Sequence, residues 1–180
     1  MAAEELIHVT RWHNGEKTYS PFSDGEMTRR RDAMQARMDE ASIDACLFTS
    51  YHNICYFSGF LYCKFGRRYG AVLTRNGVTT VSAAIDGGQP WRRSVGDNVT
   101  YTDWRRDIYF TALKDLLPGI KRLGVEFDEV NLDLKMLLEE HFPGVELVDC
   151  AASAMSLRTI KSAEEHVLIR KGADICAVGG

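Results

Sequence analysis

The sequence lacks the long apolar runs and the excess of one charge that would point directly to a membrane or to nucleic acid. No stretch approaches the ~20 apolar residues that cross a bilayer. The formal net charge is -3, so no overall positive field favours nucleic acid or an anionic lipid surface. Residues 1–10 carry Glu4 and Glu5 and have neither the basic nor the apolar region of a secretory signal. We therefore expect no nucleic acid and no membrane among the partners.

Cysteine is scarce, and its five residues form an odd, scattered set. Three of them lie among apolar neighbours and are interpreted as core thiols, and the odd, scattered set does not suit a disulfide framework. We therefore expect a reducing, cytoplasmic location. The residues are Cys46, Cys55, Cys63, Cys150 and Cys176.

Motifs of a self-contained active site are also missing. The sequence has no glycine-rich dinucleotide loop, no phosphate-binding loop, no nucleophile elbow and no His-Glu-x-x-His. His52, Cys55 and Cys63 lack ordinary zinc spacing, so we predict no metal site and no cofactor. A thiolate of Cys55 or Cys63 paired with His52 stays an alternative, since a histidine lowers a neighbouring thiol's pKa. We interpret His52 instead as a residue that begins a helix.

Hydrophobic patterns that alternate between strand and helix predict an α/β fold. Asn76-Gly77 between two apolar segments indicates a hairpin, so at least one strand pair is antiparallel. The fold class is therefore α/β, with a mixed β-sheet flanked by helices. The predicted strands are Ile7–Arg11, Ala45–Phe48, Tyr69–Thr74, Val78–Ala84, Asn98–Thr102, Leu123–Phe127 and Val145–Val148. The predicted helices are a first one from Ser23, then Tyr51–Phe57, one from Asp107, Leu132–Phe142 and one from Lys161.

The first helix carries the clearest local signals. Ser23-x-x-Glu26 has the pattern of a capping box, in which the hydroxyl and the carboxylate each bind the other residue's amide. We interpret Arg29-Arg30-Arg31 as a solvated helix face rather than a nucleic-acid patch. An apolar stripe predicted to face the core consists of Met27, Met34, Met38 and Ala41.

The last helix has an apolar stripe with nothing after it to bury that stripe. Ser162 is a candidate cap, and Glu164 and Glu165 favour the positive end of the helix dipole. This pattern predicts a cut polypeptide. We divide the chain into an arm over residues 1–22, an α/β domain over 23–157 and the truncated start of a linker helix over 158–180.

Two kinds of arginine cluster are candidate binding groups. Phe65-Gly66-Arg67 suits a small carboxylate, because the guanidinium pairs with both oxygens while the ring excludes water. A surface loop in which Arg67 or Arg68 pairs with an acidic residue is the alternative. Trp91-Arg92-Arg93 and Trp104-Arg105-Arg106 suit a protein interface, where Trp and Arg concentrate binding energy, although they could also cap loops.

These motifs resemble the amino-terminal domain of the creatinases. The resemblance rests on Thr49–Ile54, Phe60–Arg67, Ile85–Arg93 and Tyr101–Trp104. The tail Arg158–Glu165 is similar to the broader creatinase, prolidase and aminopeptidase P group, where it leads into a catalytic "pita-bread" domain. The resemblance implies a homodimeric, metal-independent hydrolase that converts creatine to sarcosine and urea.

In that family each amino-terminal domain reaches the partner's site. Arg67 would clamp the creatine carboxylate and Phe65 would pack on the substrate, while Trp91, Arg92 and Trp104 are interface candidates. The catalytic histidine and glutamates of the family belong to its carboxy-terminal domain, so we assign no catalytic residue to these 180 residues.

Two departures and two alternatives stay open. Lys64 stands where the family usually has a small polar residue, and Gly59 stands where an acidic residue is expected; Lys64 could shift the preference to another guanidino acid. An Xaa-Pro metallopeptidase, such as a prolidase or aminopeptidase P, would share the Asn53–Tyr56 segment and the tail. A stand-alone binding module without catalysis is the third reading.

Overall fold

The computed structural model describes residues 8–13, 15–18, 20–61, 66–102 and 108–179. Phe65 and Trp104, and with them Cys63 and Lys64, lie outside these described residues. Within them, one mixed sheet carries helices on both faces. The strands are β1 (Val9–Thr10), β2 (Ala45–Phe48), β3 (Gly70–Thr74), β4 (Gly77–Ala83), β5 (Asp97–Tyr101), β6 (Arg122–Val125) and β7 (Glu146–Asp149). The helices are α1 (Asp24–Glu40), α2 (Tyr51–Ser58), α3 (Gln89–Arg93), α4 (Ile108–Leu116), α5 (Leu132–His141), α6 (Ala151–Thr159) and α7 (Ala163–Gly179), with a 3-10 turn over Ala84–Asp86.

The strand order explains why the sheet is mixed. The order is β1-β5-β4-β3-β2-β6-β7, and β3 runs antiparallel to both of its neighbours. The predicted hairpin at Asn76-Gly77 is confirmed: Thr74 pairs with Gly77, whose φ of 127° favours glycine. Strands β2, β4, β5, β6 and β7 all point the same way. Their carboxyl ends therefore share one edge of the sheet, and β3 begins at that edge.

Alternate residues of the strands enter two cores, one on each face of the sheet. Ala45 and Leu47 of β2 pack with residues of α4 and α5. Cys46 and Phe48 pack with residues of α1, α2 and α6. The α/β fold with helices on both faces of a mixed sheet is therefore confirmed.

The predicted apolar stripe of α1 is confirmed for its three methionines, which are buried, whereas Ala41 is the exposed C-cap. Half of the predicted capping box is present, because the Ser23 hydroxyl accepts a hydrogen bond from the Glu26 amide at 3.1 Å. The carboxylate that accepts from the Ser23 amide is that of Glu164, through its Oε2 at 2.9 Å, and not that of Glu26. The Glu26 carboxylate instead pairs with two arginines of its own helix, which offer stronger, charge-assisted bonds.

The interpretation of the arginine run as a solvated face is wrong for Arg30. Its side chain is only 2% exposed and lies between the rings of Phe22 and Tyr56, 4.0 and 4.3 Å from their centroids. Its Nε donates to Glu26 at 2.7 Å, and its Nη1 donates to the Tyr56 carbonyl at 3.2 Å. Helical periodicity in α1 alone could not show this, because Phe22 and Tyr56 belong to other segments.

Three helices differ from the prediction. Helices α3 and α6 were not predicted, and α6 crosses the expected boundary near residue 157. Helix α7 begins at Ala163 rather than at Lys161, since Ser162 and Glu165 form a complete capping box. No residue of α7 is buried. Its apolar stripe is therefore uncovered within the described residues, and the three-part division of the chain stays a prediction.

Candidate functional site

Arg67 lies at the edge of the sheet where the carboxyl ends of five strands meet. It is exposed, and it follows Gly66 in the segment that enters β3. Gly66 adopts a φ of 67°, and a Cβ placed on it would meet nothing within 4 Å. In open α/β sheets this edge is where ligands characteristically bind. The position suits a binding arginine, although the role of Arg67 stays a prediction.

The next residue, Arg68, is fixed to three elements. The Tyr101 hydroxyl accepts from the Arg68 amide at 3.1 Å and donates to the Arg68 carbonyl at 2.9 Å. The Arg68 guanidinium donates to Asp133 of α5 at 2.6 Å. The guanidinium carbon also lies 5.8 Å from the centroid of Phe110 in α4. The alternative of an arginine paired with an acidic residue thus holds for Arg68, whose side chain serves the fold.

Trp91 and Arg92 hold the amino-terminal arm against α3. The Trp91 ring stacks on His13 with centroids 4.0 Å apart and lies 3.6 Å below the Lys17 ammonium. Arg92 accepts a hydrogen bond from the Thr18 amide at 2.6 Å through its carbonyl. Burial lowers the Lys17 pKa. These contacts lie within one chain, so an additional role of both residues in a subunit interface stays a prediction.

The structure does not bring Arg67 and Trp91 together. Arg68 contacts Tyr101, the last residue of β5, whereas Trp91 stacks on His13, whose ring bonds Asp97 at the opposite end of that strand. The two arginine clusters therefore lie toward opposite edges of the sheet. A site that uses both would have to be completed by other parts of the molecule.

Sequence reasoning missed a buried carboxylate at the same edge as Arg67. Glu126 follows β6, is 2% exposed, and accepts from the amides of Thr49 and Ser50 at 2.6 and 2.9 Å. It also accepts from the Ser50 hydroxyl, and from the Asn53 side-chain amide at 2.6 Å. A carboxylate at a helix N-terminus satisfies amides that have no partner inside the helix. Ser50 itself caps α2, because its hydroxyl accepts from the Asn53 amide at 3.2 Å, and Glu126 fixes the two residues that lead into the helix. The place of Glu126 directly after an apolar strand was the only signal in the sequence.

The thiolate alternative fits the structure poorly for Cys55, whereas Cys63 lies outside the described residues. Burial raises the pKa of Cys55. The charges of Arg30 and Arg158 lower this pKa, but by less than burial raises it. The ring of His52 packs edge-on against Tyr51, with centroids 5.6 Å apart. A thiol with a raised pKa is a poor nucleophile at neutral pH. Cys46 and Cys150 are buried core thiols, as predicted for part of the set.

The described ranges, residues 8–13, 15–18, 20–61, 66–102 and 108–179, bear on metal and membrane sites. There, no three His, Cys, Asp or Glu side chains come together in a way that could hold a metal ion. Among the same residues, no helix is long and apolar enough to cross a membrane.

Comparison with known proteins gives the class. The family model described as the creatinase/prolidase N-terminal domain matches residues 30–160, which is well over half of the chain. The chain belongs to this family of domains.

Individual relatives refine this result. A creatinase of Bacillus sp. (strain B-0618) is 47% identical over 172 residues, a match that covers 93% of this chain and 42% of that protein. The chain thus spans less than half of the length of that relative. A proline dipeptidase from Streptococcus pneumoniae TIGR4 superposes with a TM-score of 0.66 at 19% identity, covering 73% of this chain and 98% of that one. The prolidase of Pyrococcus horikoshii OT3 gives 0.67 at 22% identity, over 82% of this chain and 40% of that one. These two similarities establish the fold.

Proposed function

We propose that the chain is the amino-terminal domain of a creatinase, an enzyme that hydrolyses creatine to sarcosine and urea. The observation that carries this proposal is the 47% identity with the Bacillus creatinase across 93% of the chain. The two prolidase structures share the fold at 19% and 22% identity. Similarity to the creatinase thus goes well beyond what the fold requires.

In this proposal Arg67 binds the carboxylate of creatine. Its exposed guanidinium at the carboxyl edge of the sheet can pair with both carboxylate oxygens. Phe65 would pack on the substrate, as the family resemblance implies. Water attacks the guanidino carbon of creatine, so the carboxylate takes no part in bond making. Its binding serves to position the substrate, which lowers the entropic part of the barrier.

The reacting groups are proposed to come from the rest of the intact protein. The chain covers 42% of the Bacillus creatinase, and we assign no catalytic residue to it. We expect these 180 residues alone to give no turnover. The intact protein is proposed to be a cytoplasmic, metal-independent homodimer in which Arg67 reaches the partner's site and Trp91, Arg92 and Trp104 serve the interface.

A second candidate is the equivalent domain of an Xaa-Pro metallopeptidase. The TM-score of 0.67 with the Pyrococcus prolidase favours it as far as the fold is concerned. Under this reading Arg67 has no creatine to bind, and the intact protein requires a metal ion for activity.

Urea release from creatine by the intact protein, with and without a strong chelator, separates the two candidates. Chelator-resistant urea release supports the creatinase. No urea, together with metal-dependent cleavage of an Xaa-Pro dipeptide, would contradict the creatinase and support the peptidase. Urea release by residues 1–180 alone would contradict the assignment of the chemistry to the remainder of the protein.

A further inference from the structure

We propose that Tyr101 is a positioning residue, whose hydroxyl fixes the backbone beside Arg67 and so holds that guanidinium where the substrate carboxylate binds. The inference rests on the proposed role of Arg67 in creatine binding. Tyr101 begins one of the segments that carry the family resemblance, but it is predicted only as part of a strand, with no function.

The Tyr101 hydroxyl contacts both backbone polar groups of a single residue. The Arg68 amide donates to it at 3.1 Å, and it donates to the Arg68 carbonyl at 2.9 Å. A phenolic hydroxyl can do both at once, because it carries one hydrogen and also lone pairs. The side chain reaches across 33 residues of sequence and is 3% exposed. The two bonds are therefore shielded from competing water.

Tyr101 is itself held rigidly. It is the last residue of β5 and lies between Ala83 of β4 and Val9 of β1 in the sheet register. Its ring packs edge-on against Tyr109 of α4, with centroids 5.6 Å apart and an interplanar angle of 78°. A site supported by strands and packed rings is positioned more precisely than one supported by a loop.

Directly before Arg67 lies a glycine. Gly66 has a φ of 67° and no side chain, and no atom lies near the position of its missing Cβ. Glycine permits many backbone conformations, so Gly66 itself restricts this segment little, and the contacts of Arg68 contribute to its order. The Asp133 carboxylate accepts from the Arg68 guanidinium at 2.6 Å and so holds the side chain of Arg68. The Tyr101 hydroxyl instead bonds the backbone of Arg68. A shift of about 1 Å in a substrate-positioning group can cost up to about 100-fold in rate.

The test is Tyr101→Phe in the intact protein, which removes the hydroxyl and keeps the ring. We expect KM for creatine to rise about 3- to 10-fold with kcat within about twofold, because one or two neutral hydrogen bonds are lost. Tyr56→Phe is the matched control. The Tyr56 hydroxyl also donates to a backbone carbonyl, that of Leu157 at 3.0 Å, but away from Arg67. KM should stay within about twofold in this control, and an equal rise in both variants would overturn the proposal.

A double variant tests whether Tyr101 acts through Arg67. Adding Tyr101→Phe to Arg67→Ala should change KM by less than about twofold, because the group being positioned is already gone. Independent, multiplicative effects of the two changes would overturn the proposal.

Hydrogen exchange separates failure of this inference from failure of the proposed function. In Tyr101→Phe the Arg68 amide loses its acceptor and should exchange at least about 10-fold faster than in the parent. Unchanged exchange would overturn the positioning role whatever the substrate is. Absence of creatine hydrolysis by the parent protein, with exchange accelerated as expected, would overturn the proposed function and the role in substrate positioning while retaining the backbone contact.

Discussion

Asn53 and Arg158, separated by 105 residues, are joined by a hydrogen bond of 3.2 Å from the Arg158 guanidinium to the Asn53 amide oxygen. The nitrogen of the same amide donates to Glu126 at 2.6 Å. Asn53 therefore connects the end of β6, the first turn of α2 and the end of α6. The two segments that carried the resemblance to the wider family, one around Asn53 and one beginning at Arg158, meet in space at this residue.

The Glu126 carboxylate should be the main support of this junction. We expect Glu126→Gln to lower the free energy of unfolding by about 2–3 kcal/mol, because a glutamine amide turns a donor toward amides and a hydroxyl that also donate. Urea unfolding of the domain measures the change. Glu139→Gln is the control, since Glu139 forms an exposed pair with Lys135 and should cost under about 0.5 kcal/mol. A loss below about 1 kcal/mol for Glu126→Gln would contradict this account.

Arg30 should matter far more than its neighbours in the arginine run. We expect Arg30→Met to lower the free energy of unfolding by about 2–3 kcal/mol, because Glu26 loses one of its two arginine partners and the Tyr56 carbonyl loses its donor. Arg31→Met, in which a half-buried side chain loses an exposed hydrogen bond to Thr28, should stay within about 0.5 kcal/mol. Chemical unfolding measures the free energy of unfolding of both variants. An equal loss in the two would show that the buried contacts of Arg30 do not stabilise the fold.

Acid should weaken the fold through Glu26. The hydrogen bond from Arg29, with further help from Arg30, lowers the pKa of Glu26 from 4.5 to about 2. A carboxyl group with a lowered pKa contributes stability above its unfolded pKa and loses it as the pH falls toward the folded pKa. Between pH 6 and pH 3 we expect the parent to lose about 2 kcal/mol more than Glu26→Gln does.

The measurement is urea unfolding of the parent and of Glu26→Gln at several pH values. Because the variant cannot titrate at position 26, every other carboxyl group contributes equally to both curves. Parallel stability curves for the two proteins would show that Glu26 does not have a lowered pKa.

Cysteine labelling should discriminate between a reactive thiol and a buried one. Burial raises the pKa of Cys55, whereas Cys176 lies exposed on α7. At pH 8 we expect iodoacetamide to modify Cys55 at less than about a tenth of the rate at Cys176, because the thiolate is the reacting form. Peptide mass spectrometry reads out each site separately. Faster labelling of Cys55 than of Cys176 would contradict a raised Cys55 pKa and support a thiolate of Cys55 paired with His52.

The parts of the fold that sequence predicted are those with strong local signals. Ala45–Phe48 is a continuous apolar run with no competing helical period, and its strand was predicted with the observed bounds. The Ser23 cap and the Asn76-Gly77 hairpin depend on residues a few positions apart. Helix α6 was missed because Ala151–Thr159 mixes small and polar residues without a clear apolar stripe.

The site could be predicted only in part, because it is built by contacts distant in sequence. Phe65-Gly66-Arg67 marked a candidate binding group, but its place at the carboxyl edge follows from the strand order. The burial of Arg30 depends on Phe22 and Tyr56. The bonds that Glu126 accepts ahead of α2 depend on β6 ending beside that helix. No periodicity within one segment carries such information.

The central claim is that Arg67 binds the carboxylate of creatine. It is tested most directly by removing the positive charge of Arg67 from the protein or the carboxylate from the ligand. Creatine and 1,1-dimethylguanidine both have a guanidino group with two substituents on one nitrogen. In creatine these are a methyl and a carboxymethyl group, whereas 1,1-dimethylguanidine has two methyl groups and no carboxylate. In the intact protein we expect Arg67→Ala to lower kcat/KM for creatine about 10- to 150-fold, the effect of losing a charge-assisted bond of about 1.5–3 kcal/mol. The inhibition constant of 1,1-dimethylguanidine should stay within about twofold. An unchanged kcat/KM for creatine, or an equal loss of affinity for both molecules, would contradict the claim.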